Sequence, residues 1–239
     1  VTAYIGIPSN TTEVEKRAIR DAAEQGGARE VILLYQPLCA AVGMGLDIQE
    51  PRGFMVVDIG GGTTDIAIIS RCDIVLDRTI KIAGDEMTND IIEWMKRNHN
   101  FLIGEATAER IKIEVGAALP NLNSAPPEIV VYGRDMFSGL PRQMEISYKE
   151  VAYAIDNTLS RIEDEVHQAL AEAPPELAAD IYTNGIALSG GGANIRGLAE
   201  RLSHRVKIPV YVAEDPLHCV AKGIYYIITH KDQFSHLFM

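Results

Sequence analysis

The chain has 239 residues, 47% of them hydrophobic and 23% charged, enough to bury a real core as one large domain or two modest ones. Its 20 glycines and 11 prolines are ordinary and exclude a collagenous, disordered or disulfide-stapled chain. The net charge of -11 argues against nonspecific nucleic-acid binding, which needs clustered Lys and Arg, and against a purely electrostatic hold on an anionic membrane.

The chain opens on Val1-Thr2-Ala3-Tyr4-Ile5-Gly6-Ile7 with neither an initiator Met nor a leader, so it reads as part of a longer protein. Tyr4 to Ile7 is an apolar strand stopped by Pro8-Ser9-Asn10. Thr12 and Glu15 fit a capping box, and a helix runs from there to Gly26-Gly27. Val14, Ala18 and Ala22 form its apolar stripe. Val31 to Leu34 is a second buried strand, and Leu38 to Met44 a small-residue helix. Glu50-Pro51-Arg52-Gly53 marks a domain boundary. Phe54 to Val57, Asp65 to Ser70 and Ile74 to Lys81 then form an antiparallel meander whose first hairpin closes on glycines.

Helices are expected over Asp85 to Asn98 and Gly104 to Ala118, with a Pro- and Asn-rich loop from Leu119 to Pro127. Glu128 to Tyr132 and Met144 to Ile146 are strands, and Tyr148 to Ala173 is one long helix. Ile186 to Leu188 runs into Ser189-Gly190-Gly191-Gly192 and a helix from Ile195 to Val206. Val210 to Val212 is the last strand, and a mostly helical tail begins at Pro216. Hairpins mixed with strand–helix units and a helical insert describe an α/β architecture with a subdomain inserted into its sheet domain. The longest apolar runs are strand-sized, so no transmembrane span is expected.

Three segments carry chemistry. In Met55 to Asp65 an apolar strand runs into Asp58, then Gly60, Gly61 and Gly62, then Thr63 and Thr64. Glycines let backbone N–H groups wrap an anion, and a carboxylate at the strand end can hold a water of hydrated Mg²⁺. No Lys follows and the next element is a strand, so this is neither a Walker A loop nor a dinucleotide fingerprint. The alternative is an ordinary glycine-rich turn. Gly190, Gly191, Gly192 and Ala193 sit between a buried strand and a helix, where amides suit a polar ligand and a bare surface suits a purine ring. The alternative there is a tight connection. Glu109 and Lys112 lie one turn apart on a helix, either as a solvated ion pair or as a carboxylate and ammonium beside a ribose. Together the three segments describe a nucleotide held across a cleft.

The remaining candidates are bland. Cys39, Cys72 and Cys219 are far apart in apolar sequence and read as small buried hydrophobes of a reducing compartment. The six histidines lack metal-ligand spacing, no nucleophile elbow occurs, and Trp94 reads as core.

Asp58 to Asp65 resembles the second phosphate loop of the actin, hexokinase and heat-shock-chaperone superfamily. Gly104 to Lys112, Val212-Ala213-Glu214-Asp215-Pro216, Gly27-Ala28-Arg29-Glu30-Val31 and Pro174-Pro175-Glu176-Leu177-Ala178 are similar to the bacterial rod-shape actins, the MreB family, over residues 1 to 223. The resemblance implies an actin-like (ribonuclease H-like) ATPase fold. Residues 1–52 would be the remainder of a first subdomain, incomplete at its N-terminal side. A second sheet subdomain would span 53–84 and 145–215, with a small α+β subdomain, 85–144, inserted in it. A helical tail, 216–239, would return to the first.

ATP and Mg²⁺ are the implied cofactors. Asp58 would hold the metal through water, and Gly60, Gly61, Gly62 and Thr63 the β- and γ-phosphates. Gly84 would lie near the nucleotide, Glu109, Lys112 and Gly116 beside ribose and base, and Gly190 to Ala193 along the adenosine. Relatives carry Glu where this chain has Gln36. A Gln orients water without taking its proton, which implies slow hydrolysis with Gln36 and Asp58 as the catalytic pair. The family's first phosphate loop lies upstream of Val1, so this stretch alone is expected to bind ATP weakly and to be inactive. The implied function is ATP-dependent filament formation that determines rod shape and organises cell-wall synthesis. It would take place in the bacterial cytoplasm at the inner face of the membrane, with further copies of the chain, membrane-associated shape-complex proteins and a membrane surface as partners, and no nucleic acid. The rival is a monomeric actin-fold ATPase, either a chaperone ATPase domain or a sugar kinase.

Overall fold

A computed structural model describes residues 1–239. Strands β1 (Thr2–Ile7) and β2 (Glu30–Tyr35) pair in parallel, joined by helix α1 (Glu13–Gln25). The Thr12 hydroxyl accepts from the Glu15 amide at 3.3 Å, and the Glu15 carboxylate accepts from the Thr12 amide at 2.8 Å. The expected inner stripe of α1 is turned outward: Val14 is 79% exposed, and Ala18 and Ala22 are exposed too. The half-buried residues are Lys16, Ile19, Arg20 and Ala23, at i, i+3, i+4 and i+7. On that side Lys16 lays its ammonium 5.5 Å from the Tyr35 ring centre on β2.

Helix α2 (Gln36–Gly43) follows without a loop, with Pro37 in its first turn and every residue from Pro37 to Val42 buried. Strands β3 (Phe54–Ile59), β4 (Thr64–Ser70) and β5 (Asp73–Ile80) form the expected meander. Beyond it, α3 (Gly84–His99), β6 (Phe101–Leu102), α4 (Glu105–Val115), β7 (Ile129–Asp135) and β8 (Pro141–Ile146) build a separate unit around the three-stranded sheet β6-β7-β8.

The single long helix expected over Tyr148 to Ala173 is two helices, α5 (Tyr148–Ala154) and α6 (Asp156–Glu172). The break falls at Ile155, fully buried and with ψ at +3°. Helix α7 (Pro175–Asn184), which periodicity did not reveal, leads through Gly185 into β9 (Ile186–Ser189). A 3₁₀ turn, Gly191–Asn194, precedes the segment where a helix was expected from Ile195. Gly197 at φ +77° delays α8 to Leu198–Val206. Strand β10 (Val210–Val212), a 3₁₀ turn at Pro216–His218, α9 (Cys219–Thr229), α10 (Lys231–Phe234) and a last 3₁₀ turn, Ser235–Leu237, complete the chain.

The five-stranded sheet has the order β10-β9-β3-β4-β5, parallel across β10-β9-β3 and antiparallel across β3-β4-β5. Both its faces are covered, which explains the unbroken apolar runs in β3 and β4. Met55, Val57, Ile59, Ile66 and Ile68 face the larger core with α3, α6 and α8. Val56, Ala67 and Ile69 alternate to the other face and meet α2 and α9. All three cysteines are buried as free thiols, and burial pushes that of Cys39 up to about 12.

Helices α2 and α9 cross at a contact made of small residues. A Cβ on Gly43 would strike the Cys219 carbonyl, and one on Gly223 would strike the Cys39 carbonyl. The tail is anchored by Phe234 and Leu237 in the second core and by Met239, which exchanges backbone hydrogen bonds with Leu33 at 3.1 and 3.2 Å. Because neither carbonyl at the crossing is free to move, Gly223→Ala is expected to lower unfolding stability by about 2 kcal/mol or more. Gly104→Ala, with nothing within 4 Å, should cost less than about 1 kcal/mol. Urea unfolding midpoints compare the two directly.

Candidate functional site

A cavity of about 970 Å³ opens among the β3–β4 turn, the N-terminal end of α3, helix α4, the Gly190–Asn194 segment and the turn before α9. Of the residues singled out in the sequence, Asp58, Gly60, Gly61, Gly84, Glu109, Lys112, Gly190, Gly191 and Gly192 line it. Glu105, from the Gly104 to Lys112 string, lines it too, as do Asp85, Thr88, Ile113 and Leu217, which no motif in the sequence marked.

The β3–β4 turn is held from behind. The Gly60 amide donates to the Thr63 carbonyl at 2.9 Å, and the carbonyls of Gly60 and Gly61 accept from the amides of Gly84 and Asp85 at 3.1 and 2.8 Å. The amides of Gly61, Gly62 and Thr63 donate to nothing within the protein. Successive unspent N–H groups in a turn form an anion-binding concavity. The Thr63 side chain is not part of the cavity wall and donates to Asp65 at 3.1 Å, while Asp65 also accepts from Thr79. Gly62 also lies outside the lining.

Asp58 stands opposite Ser189 in the β3–β9 pairing, at the carboxyl ends of two parallel strands. Burial pushes its carboxyl above the usual range, with Asp65 adding to the rise and the Ser189 hydroxyl opposing it. The Ser189 Oγ is buried and makes no hydrogen bond of good geometry. Gly190, at φ +83°, is required here, because a Cβ would lie 2.5 Å from Asp58 Oδ1. The amides of Gly191 and Gly192 are likewise unspent.

On the other wall, Lys112 Nζ donates to Glu109 Oε2 at 2.7 Å, to the Gly84 carbonyl at 2.8 Å and to Thr88 Oγ1 at 2.9 Å. An ammonium has three donors, so Lys112 borders the cavity with none to spare. Burial pushes the Glu109 carboxyl up, but hydrogen bonds from Lys112 and Thr88 and the ammonium charge outweigh it, and the net direction is down. Glu109 is ionised at neutral pH.

Gly116 does not line the cavity. It ends α4, its amide donating to the Lys112 carbonyl, and its own carbonyl accepts from Arg196. Ala193 is buried inside the 3₁₀ turn. Arg196 and Arg201 stitch the two walls together, reaching carbonyls of Ile113, Gly116 and Ala118, while Arg201 also pairs with Glu163 on α6 at 2.9 Å. Gln36 lies outside the lining as well. It opens α2, and its Nε2 donates to the Gly6 carbonyl at a long 3.4 Å. No three His, Cys, Asp or Glu side chains converge into a metal cage.

A match to the MreB/Mbl protein family runs over residues 1–236. The cell shape-determining protein Mbl of Bacillus subtilis (strain 168) is 46% identical over 226 residues, 95% of this chain and 67% of that protein. The cell shape-determining protein MreB of Escherichia coli (strain K12) is 48% identical over 217 residues, 91% of this chain and 62% of that protein. The chain thus spans about two thirds of the length of the curated relatives it matches. MreB5 of Spiroplasma citri bound to AMPPNP superposes with a TM-score of 0.92 at 38% identity, covering 98% of this chain and 70% of that one. The MamK double helical filament superposes with a TM-score of 0.79 at 20% identity, covering 96% and 69%, a likeness of fold alone. The folds agree, the family match spans nearly every residue, and the chain belongs to the MreB/Mbl family with an actin-like fold.

Proposed function

We propose that the protein is an ATP-dependent, actin-like filament former that determines rod cell shape and organises cell-wall synthesis. The observation that carries this reading is the cavity between two glycine turns with unspent amides, in a chain of a family whose relatives are named for cell-shape determination. A structural neighbour, MreB5, is described bound to AMPPNP and to ADP, and 970 Å³ is ample for a nucleoside triphosphate. Family membership gives no support to the chaperone or sugar-kinase alternative.

In this reading the chain divides as the sequence suggested, at residues 52, 84, 144 and 215. The amides of Gly61, Gly62 and Thr63 hold the β- and γ-phosphates, so Thr63 and Gly62 contribute backbone rather than side chain. The Gly190–Gly192 turn presents a flat surface to the adenosine, and Glu109 meets the ribose. Asp58 fits Mg²⁺ only through water, because no protein cage surrounds it and phosphate oxygens must complete the shell. Mg²⁺ would supply charge neutralisation between the β- and γ-phosphates. Gln36 sits at the start of α2 with only a long hydrogen bond to Gly6, so its carboxamide is free to orient a water without accepting its proton. Partners would be further copies of the chain, membrane-associated shape-complex proteins and a membrane surface, at the inner face of the cytoplasmic membrane. No helix here is long and apolar enough to cross a membrane.

Sedimentation of the full-length protein is expected to yield a pellet with ATP and much less with ADP or without nucleotide. A protein that binds ATP yet stays in the supernatant under every condition would demote the filament reading to a likeness of fold. Replacing Gln36 by Ala should slow phosphate release about tenfold or more, less than the roughly 10²–10⁴-fold of a proton-transferring group because Gln only orients the water. Unaltered release would remove Gln36 from the mechanism.

Asp58 allows a pH test. Its folded-state pKa is raised, so the nucleotide-free protein loses stability as pH rises from the usual Asp value to the folded one, and the penalty persists above that. Asp58→Asn should therefore raise the nucleotide-free melting temperature at pH 7, with the difference vanishing below about pH 4. The same variant should lose the extra stabilisation that MgATP gives the parent. A variant that melts lower at pH 7 would contradict the buried-carboxylate account.

A further inference from the structure

Helix α3 brings Thr88 to the cavity, a side chain that no sequence motif marked. Thr88 is 3% exposed, and its hydroxyl lies 2.6 Å from Glu109 Oε2, 2.9 Å from Lys112 Nζ and 3.0 Å from the Gly84 carbonyl. Oε2 of Glu109 therefore takes two hydrogen bonds, one from an ammonium and one from a hydroxyl. Glu109 Oε1 makes none within the protein, and the carboxylate borders the cavity. A long, half-exposed glutamate otherwise samples several rotamers, and fixing it costs conformational entropy at the moment of binding.

We propose that Thr88 and Lys112 act as an orienting clamp on Glu109, holding one carboxylate oxygen so that the other is aimed at a vicinal diol of the ligand. The proposal rests on the nucleotide reading above and adds its sugar specificity: a ribonucleotide is selected over its deoxy forms. Lys112 is thereby a positioning residue, because its three donors are spent on Glu109, Thr88 and Gly84. Thr88 is the decisive member. Its hydroxyl both accepts from the ammonium and donates to the carboxylate, so it links α3 to α4 across the site. The charge on Glu109, favoured by its two partners, makes it a strong acceptor for ribose hydroxyls.

The test measures the affinity of the full-length protein for ATP, 2′-deoxy-ATP and 3′-deoxy-ATP. A charge-assisted hydrogen bond predicts that at least one deoxy form binds about tenfold to a hundredfold more weakly than ATP. Thr88→Val should weaken ATP binding while leaving the discriminated deoxy form nearly unchanged, collapsing the ratio towards one, and Thr88→Ser should restore it. Equal loss for ATP and the deoxy forms in Thr88→Val would make the residue merely structural and overturn the proposal. So would an unmodified protein that binds ATP and both deoxy forms alike, a result that needs no variant to fold. If the unmodified protein binds no ATP at all, the nucleotide reading falls, and this inference falls with it.

Discussion

Everything else in the structure is hung on the crossing of α2 and α9. Two helices can approach until backbone touches backbone only where side chains are missing, and here Gly43 and Gly223 face the carbonyls of Cys219 and Cys39. The contact joins residues 180 positions apart in sequence. On one side it supports the parallel pair β1-β2. On the other it covers the outer face of β3 and β4 through Val56, Ala67 and Ile69. Because α2 begins at Gln36 and the turn before α9 carries Pro216 and Leu217, the same crossing fixes one edge of the cavity relative to both sheets.

From that constraint the site follows by ordinary strand geometry. Three parallel strands, β10, β9 and β3, end on the same side, and their carboxyl ends deliver Asp58 and Ser189 together. Two glycine turns leave those strand ends, and both spend their carbonyls or side-chain space on the protein while keeping amides in reserve. The inserted unit closes the space with a single polar knot of Thr88, Glu109, Lys112 and the Gly84 carbonyl. One wall thus offers donors and the other a charged acceptor, which is the polarity a phosphorylated sugar needs.

Much of this was legible in the sequence where a local rule governs. The capping box at Thr12, the meander, both glycine turns and the one-turn spacing of Glu109 and Lys112 each depend on residues within a few positions of one another. The sequence failed where the deciding partner lies far away. Thr88 and Asp85 look like ordinary helix residues until α4 and the β3–β4 turn are brought against them. The face of α1 was misjudged because the side that meets β2 carries Lys16 and Arg20, and the Lys16 contact with Tyr35 is one that periodicity does not record. The break at Ile155 falls at no Gly or Pro, so no local breaker marked it. Gln36, Gly62, Thr63, Gly116 and Ala193 do not line the cavity, since a motif marks a segment and not the direction of each side chain.

The pairing of Met239 with Leu33 bears on how the protein keeps to itself. Strand β2 would otherwise offer a row of free amides and carbonyls on the side away from β1, and such a row is a template for any extended peptide. By closing that row in the middle, with Phe234 and Leu237 pinning the approach, the tail turns a sticky border into a finished seam. An extended peptide approaching that side of β2 meets a backbone already spoken for at Leu33, so any contact made there must be made by side chains.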